Sequence, residues 1–165
     1  IPAHDHALME EGELIISNRA PSVSSVTVTP SVGVLTSTVL TCSATSIDPD
    51  DDVTSFGYVW TNNGNTIGSD SRLSLTPSNS QPSDIIMCTA TVTDSNSATG
   101  SDTATIQVEN TDPVVSSVSI GPSTGYNDST LTCTVVASDD DNQSLTTSYI
   151  GPTKRKARLW VQLQV

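Results

Sequence analysis

Residues 40–60, LTCSATSIDPDDDVTSFGYVW, hold the pattern that decides the fold of this chain. Apolar and polar residues alternate on both sides of an aspartate-rich loop, and this period of two predicts two β-strands. The first alternating run contains Cys42, and the second ends at Trp60, 18 positions later. Cys88 follows after a further 28 positions, within another alternating run.

The composition extends this prediction to the whole chain. Serine and threonine supply 50 of the 165 residues, and Gly, Pro, Asn and Asp separate segments rich in valine and threonine. Such a composition favours short strands joined by turns, and therefore an all-β fold. The length leaves room for one complete domain of about 100 residues and part of a second.

Charge and motifs exclude several classes of function. Residues 1–150 contain all 18 acidic residues and only two of the six lysines and arginines, so their net charge is about −16. This charge would repel the phosphates of nucleic acid. No apolar run approaches the ~18 residues that a membrane-spanning helix needs, so we expect no membrane insertion. The sequence contains no recognisable catalytic motif, and we expect that the chain is not an enzyme.

The sequence repeats itself with an offset of 91 residues. The segment 131–133 repeats the Leu-Thr-Cys of 40–42, and Tyr149 falls on Tyr58. A period this long indicates a string of domains. We predict four regions: 1–19 as the tail of a preceding repeat, 20–110 as a complete module, 111–150 as an incomplete second module, and 151–165 as a divergent basic tail.

The tail permits two interpretations. Its basic cluster, 154–158, is typical of a nuclear-localisation or nucleic-acid-binding patch. Alternatively, removing one nucleotide from codons for Trp-Thr-Asn (TGG ACC AAC) gives Gly-Pro-Thr, the sequence at 151–153. We favour an out-of-frame end. The second module would then lack a partner for Cys133, and we expect 111–165 to be marginal or disordered unless they contact the first module.

Four segments resemble tandem immunoglobulin-like or polycystic-kidney-disease-type (PKD-like) repeats of large secreted or cell-surface proteins, often microbial. These segments are Ala20-Pro21, Asp48-Pro49-Asp50-Asp51-Asp52, Tyr58-Val59-Trp60 and Cys88-Thr89-Ala90-Thr91-Val92-Thr93-Asp94, together with Cys42. The resemblance covers residues 20–150 and implies an immunoglobulin-like two-sheet sandwich, complete once and then truncated. It also implies an extracellular or cell-surface location, with neighbouring repeats as partners.

The two cysteines of the first module predict a disulfide at its centre. Cys42 and Cys88 take opposite positions on facing strands, which brings their sulfurs together; two buried free thiols are the alternative. A bridge would close a loop of about 47 residues and stabilise the fold by roughly 4 kcal/mol in the chain-entropy model. We expect Trp60 to pack against the sulfurs in a core that includes Leu40 and Tyr58.

The aspartate loops are the one group of residues with metal-binding chemistry. Dense carboxylate oxygens suit Ca²⁺, although acidic loops are usually just solvated. We predict no certain cofactor, and calcium as the candidate ion. The candidate ligands are Asp48, Asp50, Asp51, Asp52, Asp139, Asp140 and Asp141.

Two functions fit these predictions. The favoured one is a non-catalytic structural spacer or adhesion repeat of a long exported protein. The alternative is a carbohydrate-binding or protein-binding accessory module of a secreted hydrolase, whose partner is a cell-surface protein or glycan. Such a module exposes aromatic side chains, whereas the aromatic residues of 56–60 alternate towards the predicted core. The sequence therefore favours the spacer.

Overall fold

A computed structural model describes residues 16–126 and 128–150, and the backbone of 160–164. Most of the predicted upstream tail (1–19) and the basic cluster 154–158 lie outside the described residues. Every regular element within the described part is a β-strand, which confirms the all-β prediction. The strands are β1 (Ser22–Thr29), β2 (Val39–Ile47), β3 (Ser55–Asn62), β4 (Asn65–Gly68), β5 (Arg72–Ser74), β6 (Ile85–Thr93), β7 (Thr99–Gln107), β8 (Val114–Gly121), β9 (Thr132–Ser138), β10 (Thr146–Ile150) and β11 (Trp160–Gln164).

Residues 20–110 form a two-layer β-sandwich, called here the sandwich. One layer is an antiparallel sheet in the order β1-β2-β5, and the other has the order β4-β3-β6-β7. Alternating burial along β6, where every second residue is buried, shows that one face of this strand points into the sandwich. The alternating runs that contain Cys42, Trp60 and Cys88 are β2, β3 and β6, as the sequence predicts.

The core lies between the two layers and is centred on Trp60. Leu40 and Cys42 reach it from one sheet, and Trp60, Ile86 and Cys88 reach it from the other. Trp60 is fully buried, and its Nε1 donates a hydrogen bond to the backbone carbonyl of Asp70 at 2.8 Å. This bond satisfies the one polar group of the indole, so the ring is buried without an unpaired donor.

The predicted disulfide and core residues are found in the sandwich. Cys42 and Cys88 are joined by a disulfide with a Cα–Cα distance of 6.5 Å. Leu40 is fully buried, whereas Tyr58 is partly buried and packs against the core from its edge. The sequence analysis missed Val34, which belongs to the loop between β1 and β2 and is fully buried.

Residues 111–150, called here the second unit, contain a strand pair with the same register as β1–β2. Cys133 pairs with Ile120, as Cys42 pairs with Val28. Both pairs contain an irregularity near the start of their first strand. Unlike the first pair, β8–β9 belongs to a sheet of two strands, and β10 pairs with β11 in a separate sheet.

Several apolar residues of the second unit are consequently exposed. Leu131, which aligns with the fully buried Leu40, is 55% exposed, and Ile120 is 43% exposed.

The part of the chain that the structure describes contains no helix that could cross a membrane.

Candidate functional site

The first aspartate loop, residues 48–52, folds around the side chain of Asp48. Its Oδ1 accepts hydrogen bonds from the backbone amides of Asp50 at 2.8 Å and Asp52 at 3.3 Å. Asp51 has a φ of 58°, a left-handed conformation that Asp tolerates better than most residues. The sequence Asp-Pro-Asp-Asp-Asp therefore forms a tight turn that brings its carboxylates together.

Three carboxylates of this loop are close enough to share a cation. Asp48, Asp50 and Asp52 each offer one oxygen, and these oxygens lie within 4.8 Å of one another. Such oxygens are the ligands that Ca²⁺ uses in proteins. The Oδ2 atom of Asp48 is buried and has no hydrogen-bond partner. The donor set thus fits calcium, and calcium binding stays a prediction.

Arg19 competes with a cation for one of these carboxylates, that of Asp50. Its backbone amide donates to Asp50 Oδ2 at 2.6 Å, and its guanidinium donates to Asp50 Oδ1 at 2.6 and 2.8 Å. Hydrogen bonds from the Arg19 amide, and then from its side chain, hold the pKa of Asp50 below its ordinary value. The sequence analysis did not assign a role to Arg19, which is 31 positions from Asp50.

A polar network fixes the first aspartate loop to the neighbouring turn. Asp94 is buried and accepts hydrogen bonds from Asn18 Nδ2 at 2.9 Å and from the amides of Asn96 and Ala98. The bond from the Asn18 side chain is the main cause that lowers the pKa of Asp94. Asn96 Nδ2 in turn donates to Asp52 Oδ2 at 3.0 Å. The sequence signal for this network is weak, since Asp-Ser-Asn is common in turns.

The second aspartate loop, residues 139–143, has the same internal hydrogen bonds. Asp139 Oδ1 accepts from the amides of Asp141 at 2.8 Å and Gln143 at 3.5 Å. Asn142 has a φ of 56°, close to the value for Asp51 in the first loop. Asp139 Oδ2 and Gln143 Oε1 are buried without a hydrogen-bond partner. The carboxylate at Asp140 is exposed.

Asp141 has a role that the calcium hypothesis did not foresee, because it joins the second unit to the sandwich. Its side chain is fully buried. Oδ1 accepts a hydrogen bond from Thr36 Oγ1 at 2.6 Å, and Oδ2 accepts one from the backbone amide of Thr111 at 2.6 Å. Thr36 is itself buried and lies in the loop between β1 and β2. We call this contact of Thr36, Thr111 and Asp141 the joint.

The linker before the joint is also fixed to the sandwich. The backbone amide of Glu109 donates to the carbonyl of Val34 at 2.6 Å, and Glu109 Oε1 accepts from the amide of Gly33 at 2.8 Å. Glu109 therefore faces the loop between β1 and β2.

No family model, curated protein or solved structure matches the chain.

Proposed function

We propose that the chain is a non-catalytic structural spacer or adhesion repeat of a long exported or cell-surface protein. The observation that carries this proposal is the joint, where a fully buried carboxylate connects two successive units through a side chain and the linker backbone. A buried carboxylate left without its donors is costly, so the joint favours one relative orientation of the units. A spacer needs a fixed orientation because the distance between its two ends then stays constant.

The architecture of the sandwich supports immunoglobulin-like modules. Its sheet orders, β1-β2-β5 and β4-β3-β6-β7, correspond to strands A-B-E and C′-C-F-G of an immunoglobulin-like sandwich. The disulfide between β2 and β6 and the buried Trp60 on β3 occupy the positions that such domains use. The matching registers of β1–β2 and β8–β9 support the hypothesis that the second unit is a truncated copy.

The disulfide supports an extracellular or cell-surface location. Disulfides persist in oxidising compartments and are rare in the cytosol. A net charge of −12 also keeps an exported chain soluble at high concentration. The proposed partners are neighbouring repeats in the same parent chain.

The carbohydrate- or protein-binding alternative has less support. Trp60 is buried, and Phe56 stacks on Tyr58 with ring centroids 6.1 Å apart, so both rings are partly covered. Tyr126 is 89% exposed and Tyr149 is 49% exposed. Nothing in the contacts of these two tyrosines points to a shared sugar-binding face.

Replacing Asp141 tests the spacer proposal. Asp141→Ala leaves the Thr36 hydroxyl and the Thr111 amide without their acceptor, so we expect faster hydrogen exchange across 111–150 and a broader distribution of dimensions in small-angle X-ray scattering. Asp140→Ala is the matched control, since that neighbouring carboxylate is exposed. If Asp141→Ala and Asp140→Ala both leave exchange and scattering at wild-type values, the joint does not fix the units and the spacer proposal loses its support.

Calcium binding at the first aspartate loop is a second candidate function. The buried, unpartnered Oδ2 of Asp48 favours it, together with the close approach of the three carboxylates. We expect Ca²⁺ to raise the melting temperature and to release or absorb heat in calorimetric titration. Asp48→Asn should abolish both effects, and Arg19→Ala should strengthen binding because it frees Asp50. Absence of heat and of a melting shift in the wild type and in Arg19→Ala would dismiss calcium.

A further inference from the structure

The first aspartate loop lies at one end of the sandwich. Its contacts there resemble those that the second aspartate loop makes at the joint. We propose that this end, formed by Arg19 and residues 48–52, docks the β1–β2 loop of a preceding module of the same fold. The inference rests on the proposed spacer function and names the partner of one further surface.

Both aspartate loops present a carboxylate to their own linker with the same geometry. Asp50 Oδ2 accepts from the backbone amide of Arg19 at 2.6 Å, and Asp141 Oδ2 accepts from the backbone amide of Thr111 at 2.6 Å. In each loop, the Asp two positions earlier, Asp48 or Asp139, accepts from the amide of that residue at 2.8 Å. The two carboxylates therefore hold equivalent places relative to the chain that enters their units.

The two loops differ at the other carboxylate oxygen. Asp141 Oδ1 accepts from Thr36 Oγ1, which the upstream sandwich supplies, and Asp141 is fully buried. Asp50 Oδ1 accepts instead from the guanidinium of Arg19, whose side chain is 64% exposed. A threonine hydroxyl from a preceding module would take the position at Asp50 Oδ1 that Thr36 takes at Asp141. The solvent-exposed guanidinium can rotate aside.

Ile16 lies at the same end of the sandwich as the first aspartate loop. The segment that contains it aligns with the end of β7 and the linker, so that Ile16 corresponds to Val108. Val108 is buried in the core of the sandwich, and its amide donates to the carbonyl of Asp84. Ile16 is 85% exposed and lines an open cleft of about 340 Å³ with Asn18, Asp50 and Asn96. A preceding module would cover Ile16 as the sandwich covers Val108.

A second copy of residues 19–110, inserted between Asn18 and Arg19 of the full chain, tests the inference. In a Cys133→Ser background, Thr36→Cys is introduced in the inserted copy and Asp50→Cys in the original copy. In the existing joint, Thr36 Oγ1 lies 2.6 Å from Asp141 Oδ1, so the two side chains that are replaced face each other across the contact. We expect loss of both introduced free thiols on mild oxidation, and a cross-linked peptide in non-reducing mass spectrometry.

Two controls separate failure of this inference from failure of the spacer proposal. Val32→Cys in the inserted copy, on the same loop but 77% exposed, should leave both thiols free when combined with Asp50→Cys. Thr36→Cys with Asp141→Cys, in the chain without the insertion, should cross-link at the existing joint. If this last pair cross-links while the Thr36–Asp50 pair does not exceed the Val32 control, the inference is wrong and the spacer proposal stands. If neither pair cross-links, the inference is wrong, and the exchange and scattering of Asp141→Ala decide the spacer proposal.

Discussion

Leu40 and Leu131 begin the same Leu-Thr-Cys sequence but differ completely in burial. Leu40 is fully buried against Trp60 and its neighbours, while Leu131 is 55% exposed. Leu40→Ala would leave a cavity in the core, so we expect it to lower the free energy of unfolding by about 2–5 kcal/mol. Leu131→Ala should change it by about 0.5 kcal/mol or less. Urea unfolding followed by circular dichroism measures both, and equal losses would contradict the exposure of the second strand pair.

Asp94 and Asp50 make the sandwich sensitive to acid. The pKa of each carboxyl is lowered in the folded state, mainly by the Asn18 side chain at Asp94 and by the Arg19 amide at Asp50. A lowered pKa means that the unfolded chain takes up protons first as the pH falls. The stabilisation is therefore complete above about pH 4, the usual range of an unfolded Asp, and is lost as the pH falls through the folded values.

We therefore expect the free energy of unfolding to fall below about pH 4, with Asp94→Asn giving a shallower dependence than the wild type. Asp70→Asn is the control, since this carboxylate is exposed and lies outside the network. Urea unfolding at a series of pH values measures the slope. An Asp94→Asn slope that equals the wild-type slope would show that the Asn18 hydrogen bond does not stabilise the ionised carboxyl.

At the scale of the strands, the disulfide is the covalent link between the two sheets. Cys42 belongs to β2 and Cys88 to β6, 46 positions apart. Replacing both by Ala should lower the free energy of unfolding by about 2–5 kcal/mol, because the unfolded chain regains the freedom that the closed loop removes. Cys133→Ala should leave the unfolding of the sandwich unchanged. A double variant as stable as the wild type in urea would mean that packing around Trp60 is sufficient.

The strands were predictable because a period of two and turn residues are local signals. The alternating runs around Cys42, Trp60 and Cys88 predicted β2, β3 and β6, and the cysteine positions predicted the bridge between β2 and β6. The start of β7 has a weaker signal, because the glycine and serine of Thr99-Gly100-Ser101 are residues typical of turns. These residues pair with Thr91–Thr93 at the end of β6, and this pairing outweighs their weak strand propensity.

The joint could not be predicted, because its partners are distant in sequence. Thr36 and Asp141 are 105 positions apart, and a run of three aspartates looks solvated unless the surface that covers it is known. Burial of Asp141 depends on the docking of two units, which no local pattern records. The equivalent Asp50 remains at the surface with Arg19. Loops that share aspartates at their first and third positions and the same internal hydrogen bonds thus permit both outcomes, and the neighbouring unit decides between them.

For the whole molecule, charge and one thiol act in opposite directions on association. Cys133 on β9 is a free cysteine that is partly exposed, beside the exposed apolar residues of the second unit. Under mild oxidation we expect a covalent dimer on a non-reducing gel, because Cys42 and Cys88 are already joined. The net charge of −12 makes two chains repel each other, so the dimer should form slowly at low salt.

Raising sodium chloride from about 10 mM to about 500 mM shortens the Debye length from about 30 Å to a few ångströms, and the repulsion between two chains is then largely screened. The rate of dimer formation should therefore rise with salt, and a thiol in a neutral reference peptide should show no such increase. Cys133→Ser should stay monomeric at every salt concentration. Dimers of Cys133→Ser would mean that the Cys42–Cys88 bridge exchanges between chains. A salt-independent rate would mean that the charge is too far from β9 to control the encounter of two thiols.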